Sequence, residues 1–383
     1  MTQLSDAHTI GFEYQLEVPK QCLRVAIVGC GIGHAHARGY ASLPDHFELR
    51  TICDIDQGKA EAFAEQHKIA EHQLARIETD FEQLLVREDL DVIDICTPPH
   101  LHVPMVKRVL EAGKHVICEK PMAASIAEVD GLIILENASS SRVMPIFQYR
   151  FGHGFQKLEW LKTHGLFGRA HVSTVETHWR RREEYYAPEW RGRWATELGG
   201  GLLGHAIHAH DMLYSVLGPA KSVYARIATR VNEIEVEDCA SVTLEMGDGS
   251  LASLSMTLGS VDEISRHRFC FANLVVESNM RPYTSSGDPW RFIGDTPERQ
   301  SQIDAALEQF VPEPEGYAGQ FLRFHRALEH DTALPVTLQD ARASLELVTA
   351  MYRSGRSGQA VGLPIGSDAR DYTGWLPESH WES

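Results

Sequence analysis

Two short runs carry the residues best able to do chemistry. Glu119-Lys120-Pro121 closes an apolar, strand-like run, His115-Val116-Ile117-Cys118. A lysine fixed at a strand end by a proline suits proton transfer, because burial or a neighbouring cation lowers an amine's pKa toward working pH. The second run, Gly199-Gly200-Gly201-Leu202-Leu203-Gly204-His205-Ala206-Ile207-His208-Ala209-His210-Asp211, opens a helix. His205 and His208 lie three apart there, as do His208 and Asp211, so each pair shares a helix face. Lys120, His208 and His205 are therefore the candidate catalytic groups, meeting across a cleft. The same histidines with Asp211 have metal-ligand chemistry. His210 leaves the face shared by His205 and His208, and no metal is assigned.

These runs need elements to hold them. Leu23–Val28 is an apolar run ending in Gly29-Cys30-Gly31-Ile32-Gly33, with a helix expected from about His34 to Leu43. Strand, glycine turn and helix make a dinucleotide-binding unit. The glycines admit a pyrophosphate and the helix start offers it unpaired amides. Gly29, Gly31, Ile32 and Gly33 are the candidate cofactor contacts. A second strand, Phe47–Cys53, ends at Asp54, 21 residues past Gly33. A carboxylate there accepts hydrogen bonds from ribose hydroxyls and repels a 2′-phosphate, which favours NAD over NADP. Asp56 is expected to start the next helix.

Helix and strand keep alternating. A helix near 80–85 precedes the strand Asp91–Cys96, which Thr97-Pro98-Pro99-His100-Leu101-His102 breaks. Helix 103–112, the strand into Glu119, helix 125–138 and strand 142–147 follow. This spacing predicts a parallel, doubly wound sheet of the Rossmann kind, with ligands at the carboxyl ends of its strands. Thr97, Pro98, His100, His102, Glu119, Lys120 and Gln148 all fall at such ends and join the cofactor-side candidates.

Gln148-Tyr149-Arg150-Phe151 marks the crossover to a second domain. Strands near 171–179, 220–230, 237–246, 250–259 and 266–277 lack the regular helical spacers of the first half, so an α+β domain with a large, mostly antiparallel sheet is expected. The histidine helix is expected over 202–217. Residues 278–315 look like loop with a helix near 298–310, and further helices are expected over 317–328 and 338–353. The predicted domains are 1–147, with 1–22 as an N-terminal extension, and 148–383. Between Arg180 and Trp194 lies a segment dense in aromatic and basic residues. Trp190 and Arg191 there, with Tyr149, Arg150, His205, His208 and Asp211, are the candidate substrate contacts.

Composition narrows the classes. The formal charge of −17 over 383 residues argues against a general nucleic-acid partner. No apolar run approaches the roughly 18 residues of a spanning helix, so no membrane association is expected. Residues 1–22 lack the apolar block of a signal peptide. The seven cysteines are scattered singly, which suits free thiols in a reducing cytoplasm better than disulfides.

G-x-G-x-G followed by His36, then Asp54, Thr97-Pro98-Pro99-His100-Leu101-His102 and Glu119-Lys120-Pro121, resembles the Gfo/Idh/MocA oxidoreductases. The resemblance runs from Leu23 to about Pro364. It implies a dehydrogenase using NAD on a sugar, cyclitol or related polyol, with Lys120 as proton donor or acceptor. It also implies a homo-oligomer, dimer or tetramer, built through the second sheet. An NAD-dependent glycosidase that oxidises its sugar only transiently is the alternative, and a non-catalytic NAD sensor a third. Two positions depart from the family pattern. Pro99 replaces the usual Asn of T-P-N-x-x-H, and Gly204 replaces the first Asp of D-x-x-x-H-x-x-D, where His205 is the neighbouring candidate to take over.

Overall fold

The first sheet owes its burial to strands that are apolar on both sides. The computed structural model describes Tyr14, residues 16–67 and residues 76–377. Strands β1 (Leu23–Val28), β2 (Phe47–Cys53), β3 (Arg76–Glu78), β4 (Val92–Ile95), β5 (His115–Cys118) and β6 (Val143–Pro145) form one sheet in the order β3-β2-β1-β4-β5-β6. Every pairing in it is parallel. All of β4 is buried, as is nearly all of β1, as expected for a sheet covered by helices on both faces. The strand order reverses between β1 and β4, so the turns after β1, β4 and β5 open on one crevice. Those turns carry Gly29–Gly33, Thr97–His102 and Glu119–Pro121.

The second sheet is built on alternation. Strands β7 (Ala170–Arg180), β8 (Ala220–Ala228), β9 (Cys239–Met246), β10 (Leu251–Thr257), β11 (Gly259–Phe271), β12 (Leu274–Glu277), β13 (Arg291–Gly294) and β14 (Val361–Gly362) take the order β13-β12-β11-β7-β10-β9-β8-β14. All neighbours are antiparallel except β7 and β10. Val175, Trp179, Val242, Leu244, Leu254, Met256 and Phe269 are buried on one face. The other shows Val172 and Leu251, paired across β7 and β10 and exposed by 45% and 52%.

Several elements differ from expectation. The strand expected at 266–277 is two strands turning at Ala272-Asn273, β13 lies where loop was expected, and β14 lies where no element was assigned. The helix expected over 202–217 is broken into Gly201–Gly204 and Ile207–Leu217, with His205 and Ala206 between. Its start is pinned: a Cβ on Gly200 would lie 1.9 Å from the Glu237 carbonyl oxygen, and the Glu237 carboxylate accepts the Gly200 and Leu202 amides at 3.0 and 2.9 Å.

The expected boundary at 147/148 falls between the two sheets, yet the last helices reach back across it. In helix Gly316–Glu329, Phe321 stacks on Tyr40 at 4.3 Å and 9°. Helix Gly33–Ala41 can come so close because residue 39 is glycine; a Cβ there would meet the Phe321 ring at 2.9 Å. Gln320 accepts the Phe147 amide at 3.1 Å and donates to the Pro145 carbonyl at 2.7 Å. Helix Leu338–Ser357 starts in a Thr337/Asp340 capping box and pairs Arg342 with Asp130 at 2.6 Å. Of the expected extension 1–22, only Tyr14 and residues 16–22 fall among the described residues. Among the described residues no helix is long and apolar enough to cross a membrane.

Candidate active site

The glycine turn has the shape a pyrophosphate needs. Gly29 sits at φ +102°, and a Cβ on it would lie 2.6 Å from the Cys96 carbonyl oxygen. A Cβ on Gly31 would meet nothing within 4 Å, so that backbone faces open space. Helix Gly33–Ala41 starts at Ile32 without a side-chain cap or an acid in its first turn, which leaves its positive end free for an anion. Ile32 itself is 45% exposed beside it. Asp54 is fixed at the end of β2, accepting the Cys30 amide and the Asp56 amide, both at 3.0 Å. Asp56 caps the next helix by accepting the Lys59 amide at 3.1 Å.

The turn after β4 divides its labour. His102 is fully buried, its ring nitrogens each 2.8 Å from a carbonyl oxygen, that of Pro121 and that of Thr97. It therefore stands beneath the crevice, tying the Thr97-Pro98 loop to the Lys120-Pro121 turn. His100 sits on the exposed rim, with Nδ1 3.3 Å from the Thr196 carbonyl oxygen.

Glu119 is clamped. Its Oε1 accepts from His36 Nε2 and the Tyr317 hydroxyl, both at 3.0 Å, and its Oε2 accepts the Lys120 amide at 3.1 Å. The other nitrogen of His36 faces Asp94 at 2.8 Å, and Asp94 also accepts from the Tyr40 hydroxyl at 2.8 Å. With a carboxylate on each nitrogen, His36 serves both only as imidazolium. Burial opposes that charge, but Asp94 raises the imidazole well above its ordinary pKa. Burial likewise pushes Glu119 up, and the His36 hydrogen bond and charge overcome it, leaving the carboxyl at about 2. Cys96 Sγ lies 3.4 Å from His36 Nδ1. His36, Asp94 and Cys96 are close enough together to be metal ligands, and hydrogen bonds within the chain account for their arrangement. The Tyr317 hydroxyl also accepts from Gln148 Nε2 at 3.2 Å. Gln148 Oε1 is buried and has no partner among the described residues, an acceptor that fits the carboxamide N–H of a nicotinamide.

The two runs that opened the sequence meet here. Lys120 Nζ donates to the Gly204 carbonyl at 2.8 Å. Burial lowers the lysine's pKa and the Glu119 charge resists, with Arg191 and Arg181 depressing it further and Glu197 opposing them. His208 stacks on Tyr149 at 4.7 Å and 20°, and burial followed by the Lys120 charge pushes it down to about 3, so it works as neutral imidazole. Its Nδ1 is buried with no partner among the described residues. His205 is placed differently. Its Nε2 accepts from Arg181 Nε at 3.2 Å, and its Nδ1, like that of His208, is buried without a partner among the described residues. Asp211 and Arg150 are joined to each other by two hydrogen bonds of 2.6 and 2.5 Å, and Arg150 also reaches Asp340 at 3.0 Å. Both oxygens of the buried Asp211 are thereby occupied.

Residues 23–147 match the model of the oxidoreductase family with an NAD-binding Rossmann fold, and residues 155–270 match the GFO/IDH/MocA C-terminal domain. The chain belongs to the Gfo/Idh/MocA oxidoreductases. It is 26% identical over 348 residues to the uncharacterised oxidoreductase YrbE of Bacillus subtilis, covering 88% of this chain and 95% of that one. The D-glucoside 3-dehydrogenase of Escherichia coli is 26% identical over 368 residues, covering 89% and 97%. The solved WlbA dehydrogenase of Bordetella pertussis, in complex with NADH and UDP-GlcNAcA, superposes with a TM-score of 0.77 at 27% identity, over 90% of this chain and all of that one. The cofactor of this Gfo/Idh/MocA protein is NAD.

The Gfo/Idh/MocA cleft is completed by the aromatic and basic segment. It contains two single-turn helices, Glu183–Tyr186 and Trp194–Glu197. The Arg191 guanidinium lies 3.9 Å from the Tyr185 ring centroid and 4.2 Å from that of Trp190, hydrogen-bonds the Tyr185 hydroxyl, and reaches Glu197 at 3.2 Å. Arg181 donates to the Tyr283 hydroxyl at 2.6 Å while holding His205. His36 as a clamp, Tyr317 and Glu197 were not among the sequence candidates, and Arg181 was legible only as part of the basic stretch that starts at Arg180. Asp94 gave one signal, an acid inside an otherwise apolar strand that required a buried partner; Tyr317, 198 residues beyond Glu119, gave none.

Proposed function

We propose that this protein oxidises a hydroxyl-bearing carbon of a sugar, cyclitol or related polyol, with Lys120 as the general acid–base. The observation that carries this is Lys120 Nζ anchored on the Gly204 carbonyl at 2.8 Å, on the turn it shares with the clamped Glu119. The carbohydrate names of the glucoside dehydrogenase and of the WlbA complex support the substrate class. NAD, when bound, supplies the hydride acceptor. Lys120, its pKa lowered by burial, takes the hydroxyl proton on Nζ as the carbonyl forms. His208, neutral and held face-on by Tyr149, hydrogen-bonds that oxygen and fixes its position. Glu119, kept ionised by His36, holds a fixed negative charge beside Lys120. His205 sets Arg181 in the cleft wall, and the Arg150–Asp211 pair supports the floor beneath His208.

Two measurements test this. Lys120→Met should leave NAD affinity within about twofold while lowering kcat by about 10²–10⁴, the range of general acid–base groups; unchanged turnover would remove Lys120 from the mechanism. NADH released per product formed, across free sugars, cyclitols and glycosides, should be near one. Product that needs NAD yet accumulates no NADH would mean the cofactor is recycled, as in a redox-neutral glycosidase.

A further inference from the structure

The gap at Gly204 faces a carboxylate from another element. A Cβ built on Gly204 meets one atom within 4 Å, Oε1 of Glu197 at 3.9 Å. The Gly204 carbonyl is itself the acceptor for Lys120 Nζ at 2.8 Å. Glu197 is 6% exposed and closes the single-turn helix Trp194–Glu197. The next residue, Leu198, sits at φ +69°, a left-handed conformation that a leucine adopts only under constraint. Its carbonyl is held by Trp375 Nε1 at 2.7 Å, which fixes the chain just past the carboxylate. Glu197 Oε2 accepts the Gly192 amide at 2.5 Å and its Oε1 accepts from Arg191 at 3.2 Å. This is a built position for one buried acid.

We infer that Glu197 supplies, from the cleft wall, the carboxylate that the histidine helix lacks at Gly204, and that it acts as a positioning residue that sets the charge state of Lys120. The inference rests on the assignment of Lys120 as the acid–base. The groups facing Lys120 are Glu119 on its own turn, Arg191 and Glu197 in the cleft segment, Arg181 just past β7, His205 in the break between the histidine helices, and His208 on the second of them. Of the two acids, the ionised Glu119 acts on Lys120 most strongly, and Glu197 is the second negative charge offsetting two arginines. Burial raises the Glu197 pKa, while the Gly192 amide, Arg191 and Lys120 resist protonation. A negative Glu197 raises the Lys120 pKa, so its loss moves the lysine's titration to lower pH.

The test compares Glu197→Gln, Gly204→Asp and the double variant. Glutamine keeps the size and the acceptor for the Gly192 amide while deleting the charge. The Lys120 titration is read without turnover, from the pH dependence of its modification by an amine-reactive reagent, located by peptide mass spectrometry. Glu197→Gln should lower the pH midpoint by about one pH unit, the small end of the effect of a neighbouring charge. Gly204→Asp in that background should restore it, because the new carboxylate enters the space Glu197 faces. The kcat–pH profile on an oxidised sugar should move in parallel. A midpoint unmoved in Glu197→Gln, or moved but not restored by Gly204→Asp, overturns the inference. A midpoint that moves and is restored, in a protein that oxidises no polyol, upholds the Glu197–Lys120 coupling and overturns the dehydrogenase assignment instead.

Discussion

His36 shows how much one side chain can decide. It separates two buried carboxylates, Asp94 and Glu119, that would otherwise repel. Its raised pKa means its contribution to stability is complete below the ordinary 6.5 and fades as pH rises through the folded-state value. For Glu119, depressed from 4.5 to about 2, the contribution is complete above 4.5 and fades as pH falls toward 2. The wild-type melting temperature should therefore be flat across mildly acidic pH and fall at both extremes. His36→Leu leaves two buried carboxylates, each still accepting from a tyrosine hydroxyl, without their shared cation, at a cost of about 3–5 kcal/mol near neutral pH. Those orphaned acids then gain by protonation, so the variant's melting temperature should rise from pH 8 to pH 5. Thermal melts at the two values check the sign; a parallel drop at both would show that His36 contributes only packing. The motifs that ended strands, Gly29–Gly33, Asp54 and Glu119-Lys120, were legible because their chemistry depends on near neighbours in sequence. The clamp was not, because His36, Asp94 and Tyr317 come from three distant elements.

At the scale of elements, the surprise is helix Gly316–Glu329, whose amphipathic pattern was readable but whose destination was not. Its face is complementary to a helix nearly three hundred residues earlier in the chain, and only the close approach at Gly39 lets Phe321 reach Tyr40. Gly39→Leu should cost about 1–3 kcal/mol through overpacking. By withdrawing Tyr317 from Glu119 and Gln148, it should also weaken NAD binding. Gly131→Ala is the contrast, since a Cβ there meets nothing within 4 Å in the middle of helix Ile126–Asn137. It should raise stability by about 0.5–1 kcal/mol and leave NAD affinity alone. Denaturant titration and a binding isotherm on each variant separate the two effects. The break at His205 was equally hidden from the sequence. Helical periodicity continues through 202–217, and the crowding of Gly200 by Glu237 and of Gly201 by Met256, which pins the first turn, comes from distant parts of the chain.

The whole molecule presents one surface of a different character. On β7, β10, β8 and β13 the outward residues Val172, Leu251, Tyr224 and Ile293 stand among serines, threonines and the Arg266–Glu176 and Arg268–Glu277 ion pairs. A broad sheet face of that mixed kind suits a partner of the same kind, and we propose that copies of this chain pair through it. Leu251→Lys, a charge placed on that face, should lower the sedimentation coefficient to that of a monomer while leaving the melting profile of each subunit in place. Sedimentation unchanged from the wild type would put the interface elsewhere.

The tie between Tyr317 and Glu119 bears on how such a protein can be recombined. The nucleotide-binding half looks like a cassette, since its sheet is completed within residues 23–145. It is not transplantable as one. Its carboxylate is gripped by a hydroxyl, and its last strand end by an amide side chain, both borrowed from helix Gly316–Glu329. A chimera joined at residue 147 would inherit a sheet with an unfinished crevice unless the donor's residues 316–329 travelled with it. Lineages that shuffle these halves must therefore exchange both ends together or re-evolve the grip.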